Sequence, residues 1–274
     1  MARIIGSPSR YIQGKGTLAE ITKYTERLGK KLLILVSKSG KKRVEEKINK
    51  AVEGTDTTVV WEIFNGECSK SEVNRIGENL KKEKCDVVVG IGGGKILDTA
   101  KAVAYYEDIA VVCVPTAAST DAPCSALSVL YTDDGQFDEY LWLPANPDII
   151  LLDTDIIVAA PVRLIVSGMG DALATYFETR ACMRSNTTSC MGGSVSKTAM
   201  ALSELCFKTL MGDGAKALLA VNAGACTPAV ENIIEANTYL SGIGFESGGI
   251  AAAHAIHNGL TCIEETHGMY HGEK

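Results

Sequence analysis

The chain has 274 residues, a formal net charge of -6 and 46% apolar residues, which suffices for one large or two modest globular domains. Its acidic balance argues against a nucleic-acid or anionic-membrane surface, and no uncharged apolar run is long enough to span a bilayer, so neither partner is expected. Nine scattered cysteines without a CxxC pair, and a beginning unlike a signal peptide, point to reduced thiols and a cytoplasmic location rather than a disulfide framework.

Residues 1–30 read as an extended segment, a Gly-Lys-Gly turn and a helix over Thr17–Leu28. The run KLLILV (Lys31–Val36) predicts a buried strand, followed by a loop over Ser37–Gly40 and a helix over Lys42–Val52. Thr57–Ile63 alternates and is β-branched, as a third strand would be, with a helix over Ser71–Glu83 behind it. The rest of the chain is organised around the stretch Cys85–Ala104, CDVVVGIGGGKILDTAKAVA. Val87, Val88 and Val89 predict a strand covered on both faces, ended by Gly90. Gly92, Gly93 and Gly94 lack a Cβ, so their backbone can turn sharply and bring N–H groups to a phosphate at the start of the next helix. In that helix Ile96, Leu97, Ala100, Val103 and Ala104 recur at the spacing of a sheet-facing stripe, while Asp98 and Lys101 face elsewhere. The glycines match neither GxGxxG nor GxxxxGK[ST], which disfavours a standard Rossmann or Walker loop.

A strand over Ile109–Val114 ends in Pro115, and the loop Thr116–Asp121 then lies where ligands bind in such sheets, beyond the strand carboxyl ends. Ser125–Thr132 and Gln136–Leu143, joined by the Asp133–Gly135 turn, predict a β-hairpin, and Asp148–Leu152 a last strand. The alternation of strands and helices predicts a doubly wound, Rossmann-like parallel α/β sheet over residues 1–160. Beyond Pro161 the segments are all helical, over Gly170–Met183, Ser194–Met211, Ala215–Ala223, Thr227–Leu240 and Gly248–Asn258, so residues 161–274 are expected to form an all-α domain. The cleft between the two is the expected site. The end at His271-Gly272-Glu273-Lys274 does not taper into a polar tail, and the helical domain is expected to be truncated there.

All four histidines, His254, His257, His267 and His271, fall near the end of the chain. His254 and His257 share a helix face, as would His267 and His271. Spacing alone leaves a metal site and a chance cluster equally open, because no HExxH-type signature is present. Asp171 in the same half would complete a site, although without other information a helix N-cap is the reading that wins.

The segments GIGGGKILDTAK, PTAASTDAPCSALSVLYTDDG, GMGDALATYFE, GGIAAAHAIHNGL and HGEK strongly resemble those of the glycerol dehydrogenases within the iron-containing, or group III, alcohol dehydrogenase superfamily. The resemblance implies an N-terminal NAD-binding domain and a C-terminal helical domain holding one divalent metal. Zinc is expected ahead of Fe2+, ligated by Asp171, His254 and His271. It implies that Gly93, Gly94 and Lys95 meet the pyrophosphate, that Asp98 orients their loop, and that Thr116 and Ser119 lie beside the cofactor. It also sets Ser125, Leu127 and Tyr131 around the nicotinamide, and makes Asp121 the contact to glycerol. His257 and His267 are second choices that would support the ligands. The implied reaction is oxidation of glycerol to dihydroxyacetone with hydride transfer to NAD, in a homo-oligomer that is an octamer in the family. The alternatives are a related polyol or glycerol-phosphate dehydrogenase, a dehydroquinate-synthase-like lyase, and a truncated chain that binds dinucleotide without turnover.

Two features depart from the family pattern. Many relatives carry an acidic residue after the second strand to hold the adenosine ribose, where this chain has Ser37 and Lys38 with Lys41, Lys42 and Arg43 close behind. A relaxed preference that admits NADP is expected from this, against the simpler reading of a solvated helix start. The second departure is the ending at Lys274, which is expected to leave apolar faces uncovered and His271 close to a frayed terminus.

Overall fold

A computed structural model describes residues 1–274 as two compact units. The sheet unit comprises Pro8–Thr116 and Ala126–Ile157, and the helical unit comprises Met1–Ser7, Ala117–Ser125 and Val158–Lys274. A contiguous division at residue 160 therefore misses two excursions. The N-terminal segment and the loop carrying Asp121 both belong with the helices.

In the sheet unit the elements are β1 (Arg10–Gly14), α1 (Ile21–Thr25), β2 (Lys31–Val36), α2 (Lys38–Val52), β3 (Thr58–Ile63), α3 (Lys70–Glu83), β4 (Val87–Gly92), α4 (Gly94–Glu107), β5 (Ala110–Pro115), β6 (Leu127–Tyr131), β7 (Phe137–Trp142), β8 (Ile149–Asp153) and α5 (Thr154–Val158). Six strands form a parallel sheet in the order β1-β8-β5-β4-β2-β3, and β6 and β7 form a separate antiparallel hairpin. The winding reverses between β2 and β4, so their carboxyl ends mark the switch point at which such sheets take ligands. Leu32, Ile34, Val36, Val87, Val89, Val112 and Leu151 are buried together in the core. This explains why β2 and β4 read as unbroken apolar runs rather than alternating ones.

Two expectations fail locally in this unit. Strand β4 does not end at Gly90 but continues to Gly92, in register with Pro115. Helix α2 begins at Lys38, four residues before its expected start, because the Ser37 hydroxyl accepts from the Gly40 amide at 3.0 Å and caps it.

The helical unit contains α6 (Val162–Ser185), α7 (Lys197–Asn222), α8 (Pro228–Glu235), α9 (Ser241–Gly248) and α10 (Ala252–Leu260), with a π-helical turn at Ala236–Leu240 and a 3-10 turn at His271–Glu273. Two expected helices, over Ser194–Met211 and Ala215–Ala223, are one, since Gly212 and Gly214 are accommodated inside α7. No helix is long and apolar enough to cross a membrane. All nine cysteines are free thiols, and burial pushes those of Cys68, Cys113 and Cys206 up to about 12.

Candidate active site

The glycine loop divides into two chemical roles. A Cβ on Gly90 would lie 2.7 Å from Ala100 Cβ, and one on Gly92 would lie 2.5 Å from Ile96 Cδ1, so these glycines let α4 press against β4. Around Gly93 and Gly94 an added Cβ would meet nothing within 4 Å. These two leave the start of α4 open, with Gly93 at the N-cap and no side chain capping it. The first amides of α4 therefore face outward at the positive end of the helix. None of the three loop glycines takes a left-handed φ. Within the chain only Gly92 of the three is required for clearance, and none is required for a left-handed turn.

Asp98 and Lys101 do not face solvent. Both are buried, and they form an ion pair of 2.9 Å under the hairpin. Asp98 Oδ2 accepts from the Val129 amide at 3.1 Å, its carbonyl accepts from Ser128 Oγ at 3.0 Å, and Lys101 Nζ donates to the Leu127 carbonyl. The polar side of α4 is thus the seat of β6, which carries Leu127 and Tyr131. Lys95 pairs with Glu67 at 2.6 Å and stands 5.0 Å from the centre of the Tyr131 ring. Burial raises the Tyr131 phenol to about 12. Thr116 donates its amide to the Gly92 carbonyl at 3.1 Å, next to the loop. Ser37 spends its hydroxyl on the cap of α2, where Lys41 pairs with Glu45 at 3.4 Å and lies over the Trp61 ring. Ser119 and Ser125 belong to the helical unit, where the Ser119 carbonyl accepts from Ser167 Oγ and Ser125 Oγ donates to the Ala122 carbonyl.

In the helical unit Asp171, His254 and His271 converge, each offering one ligand atom, with those atoms within 4.8 Å of one another. Asp171 is not an N-cap: α6 starts nine positions earlier, at Val162, and the carboxylate projects from the middle of a long helix. Its Oδ1 lies 3.3 Å from His271 Nε2. The His254 and His271 ring centroids are 5.5 Å apart. His257 packs against His271 at 4.1 Å, whereas His267 bonds the Thr261 carbonyl and stays outside the cluster.

Glycines make the convergence sterically feasible. A Cβ on Gly168 would lie 2.0 Å from the Ala118 carbonyl oxygen, one on Gly170 would lie 2.1 Å from the Gly272 oxygen, and one on Gly272 would lie 1.8 Å from the Ser167 oxygen. Glycine inside a helix costs about 1 kcal/mol, and here it lets the loop bearing Asp121 and the turn bearing His271 both touch α6. Asn237, in the π-turn, donates through Nδ2 to the carbonyls of Ala118 and Ile165, each at 3.0 Å, and fastens that loop. Such turns recur where a side chain must be re-aimed at a site.

Asp121 is buried, and its Oδ2 accepts from Ser241 Oγ at 2.6 Å, with Thr175 Oγ1 a further 2.8 Å away. Its amide donates to Asp171 Oδ2 at 3.3 Å. Burial, then the nearby Asp171 charge, raises the Asp121 carboxyl to about 7, against the pull of Ser241 and the two histidines. Burial opposes charge on His254 and His271, but hydrogen bonds to Glu178 and Asp171 respectively, with the surrounding carboxylates, raise both above the ordinary imidazole value. Glu178 sits 2.6 Å from His254 Nδ1. The His271 turn is tethered to α6: Arg163 donates to Glu273 through two bonds of 2.6 and 2.7 Å and to the Gly268 carbonyl at 3.0 Å.

One carboxylate and two imidazoles suit a divalent cation with coordination positions left for a ligand oxygen. Glu178, Ser241, Asn237 and the Arg163–Glu273 pair escape sequence reasoning. Only Glu178 leaves a local signal, since it lies seven residues beyond Asp171 on the same helix and hence on the same face.

The family model for iron-containing alcohol dehydrogenases matches residues 8–154. The chain is similar to a glycerol dehydrogenase of Escherichia coli O6:H1, with 50% identity over 274 residues covering 100% of this chain and 75% of the relative. A solved glycerol dehydrogenase from Schizosaccharomyces pombe superposes with a TM-score of 0.95 at 41% identity, covering 99% of this chain and 69% of that one. A probable glycerol dehydrogenase from Sinorhizobium meliloti 1021 superposes with a TM-score of 0.92 at 45% identity, over 99% of this chain and 75% of that one.

Proposed function

From the premise that this chain belongs to the iron-containing alcohol dehydrogenase family, we propose that it oxidises glycerol to dihydroxyacetone, with NAD as hydride acceptor and a divalent cation, zinc ahead of iron(II). The observation that carries this reading is the convergence of Asp171, His254 and His271, with the buried Asp121 held against them. The glycerol substrate is taken from relatives named for it at about half identity along the whole chain.

The bound cation would supply Lewis acidity to a secondary hydroxyl, and the nicotinamide would supply a hydride acceptor. Everything else falls to the protein. Asp171, His254 and His271 hold the cation. Asp121, held by Ser241 at 2.6 Å, would take the hydroxyl proton as general base, and Ser241 would fix its orientation. Gly93, Gly94 and the first amides of α4 receive the pyrophosphate, with Lys95 beside them. Thr116 and Ser119 would flank the dinucleotide, and Ser125, Leu127 and Tyr131 its nicotinamide, the last two from β6 of the hairpin seated by Asp98 and Lys101. A cytoplasmic homo-oligomer belongs to the same reading.

Glycerol oxidation should be assayed in cation-stripped and zinc-loaded protein, with dinucleotide binding followed separately. Turnover that appears only on loading supports the reading. Dinucleotide binding without turnover under every metal condition overturns it. A relaxed cofactor preference is part of the proposal, and kcat/KM compared for the two dinucleotides tests it, with a strong bias against NADP counting against.

A further inference from the structure

We propose that Glu178 is a positioning residue of the cation site, fixing which nitrogen of His254 is presented to the ligand cluster. The inference rests on the reading of Asp171, His254 and His271 as cation ligands.

Glu178 is buried on α6 and divides its two oxygens between two tasks. Oε1 accepts from the amides of Ala251 and His254 at 2.8 and 3.0 Å. These amides open α10, whose N-cap residue Ala251 offers no capping side chain, so a carboxylate from another helix does the capping. Oε2 lies 2.6 Å from His254 Nδ1. A carboxylate only accepts, so the hydrogen of a neutral ring must sit on Nδ1, which leaves Nε2 with its lone pair free for a cation. One side chain thereby sets both the start of the ligand helix and the tautomer of the ligand.

Cap and tautomer are separable, because Glu178→Gln can satisfy only one. If its carbonyl keeps the two amides, its NH2 faces Nδ1, and the ring must carry its hydrogen on Nε2, where it blocks the cation. The test uses zinc affinity by chelator competition and the d–d absorption of cobalt(II)-loaded protein, in the unaltered chain and in E178Q, with the melting temperature of each cation-free form. The expected result is a 10- to 100-fold loss of zinc affinity and a shifted cobalt spectrum in a chain whose cation-free form still unfolds in a single cooperative transition. Equal affinity and an identical spectrum would overturn the proposal while leaving the cation site standing. An unaltered chain that binds neither metal defeats the cation reading itself, and this inference with it. If E178Q does not fold, 15N shifts of the histidine-labelled, zinc-loaded unaltered protein decide. A hydrogen on Nδ1 of His254 supports the proposal, and one on Nε2 overturns it.

Discussion

The glycine loop and the histidine cluster are built by opposite means. Around the loop nearly everything is close in sequence: β4, Gly93, Gly94, Lys95, Asp98 and Lys101 lie within one short stretch, and the hairpin they seat comes soon after. The cluster is assembled from distant parts, with Glu178 reaching His254 across 76 positions and Arg163 reaching Glu273 across 110. The supports differ as well. Strand β4 is buried along its whole length, whereas α10 buries none of its side chains and depends on Glu178 to hold its first turn. A site on a buried ladder inherits its geometry from the core, while one on lightly packed segments needs specific polar tethers.

The largest break in this comparison should come from Asp171→Asn. Loss of the carboxylate is expected to lower kcat by roughly three orders of magnitude, the several kcal/mol attributed to a Lewis acid. Dinucleotide affinity should stay unchanged in a fluorescence titration, and a parallel fall would mean that the two regions are not independent. Asp121→Asn should lower kcat about 10^2- to 10^4-fold while divalent-cation content, measured by elemental analysis, stays at that of the unaltered chain. An unchanged kcat removes Asp121 from the chemistry.

A matched pair of glycine substitutions sharpens the contrast. Gly168→Ala drives a methyl to within 2.0 Å of the Ala118 oxygen and should destabilise the protein by about 1–3 kcal/mol, seen as a lower midpoint in denaturant. Gly94→Ala meets nothing within 4 Å, so its midpoint should move by no more than about 0.5 kcal/mol while dinucleotide binding weakens. If the two trade places, clearance has been assigned to the wrong glycines. The smallest effect is expected from Arg163→Ala, since an ion pair with a half-exposed arginine contributes about 0–1 kcal/mol. It should weaken zinc retention by no more than about fivefold, and complete loss of zinc would make that tether as necessary as a ligand.

The alternation of apolar runs, caps and glycines in this sequence suffices to predict the parallel sheet, the loop at its switch point and the helical second half, because each of those signals acts over a few residues. The resemblance carried by its motifs singled out Asp171, His254 and His271, which spacing alone left undecided. What sequence reading misjudged shares one cause. Asp98 and Lys101 read only as turned away from the sheet-facing stripe until a hairpin from further along the chain lies over them, and Asp171 looks like a cap until α6 is seen to begin nine residues earlier. Tertiary structure alone assigned Gly168, Gly170 and Gly272 to clearance, Ser241 and Asn237 to the Asp121 loop, and Glu178 to His254. Each of these depends on a close approach between segments far apart in the chain, and no periodicity within a segment encodes which other segment will pack against it.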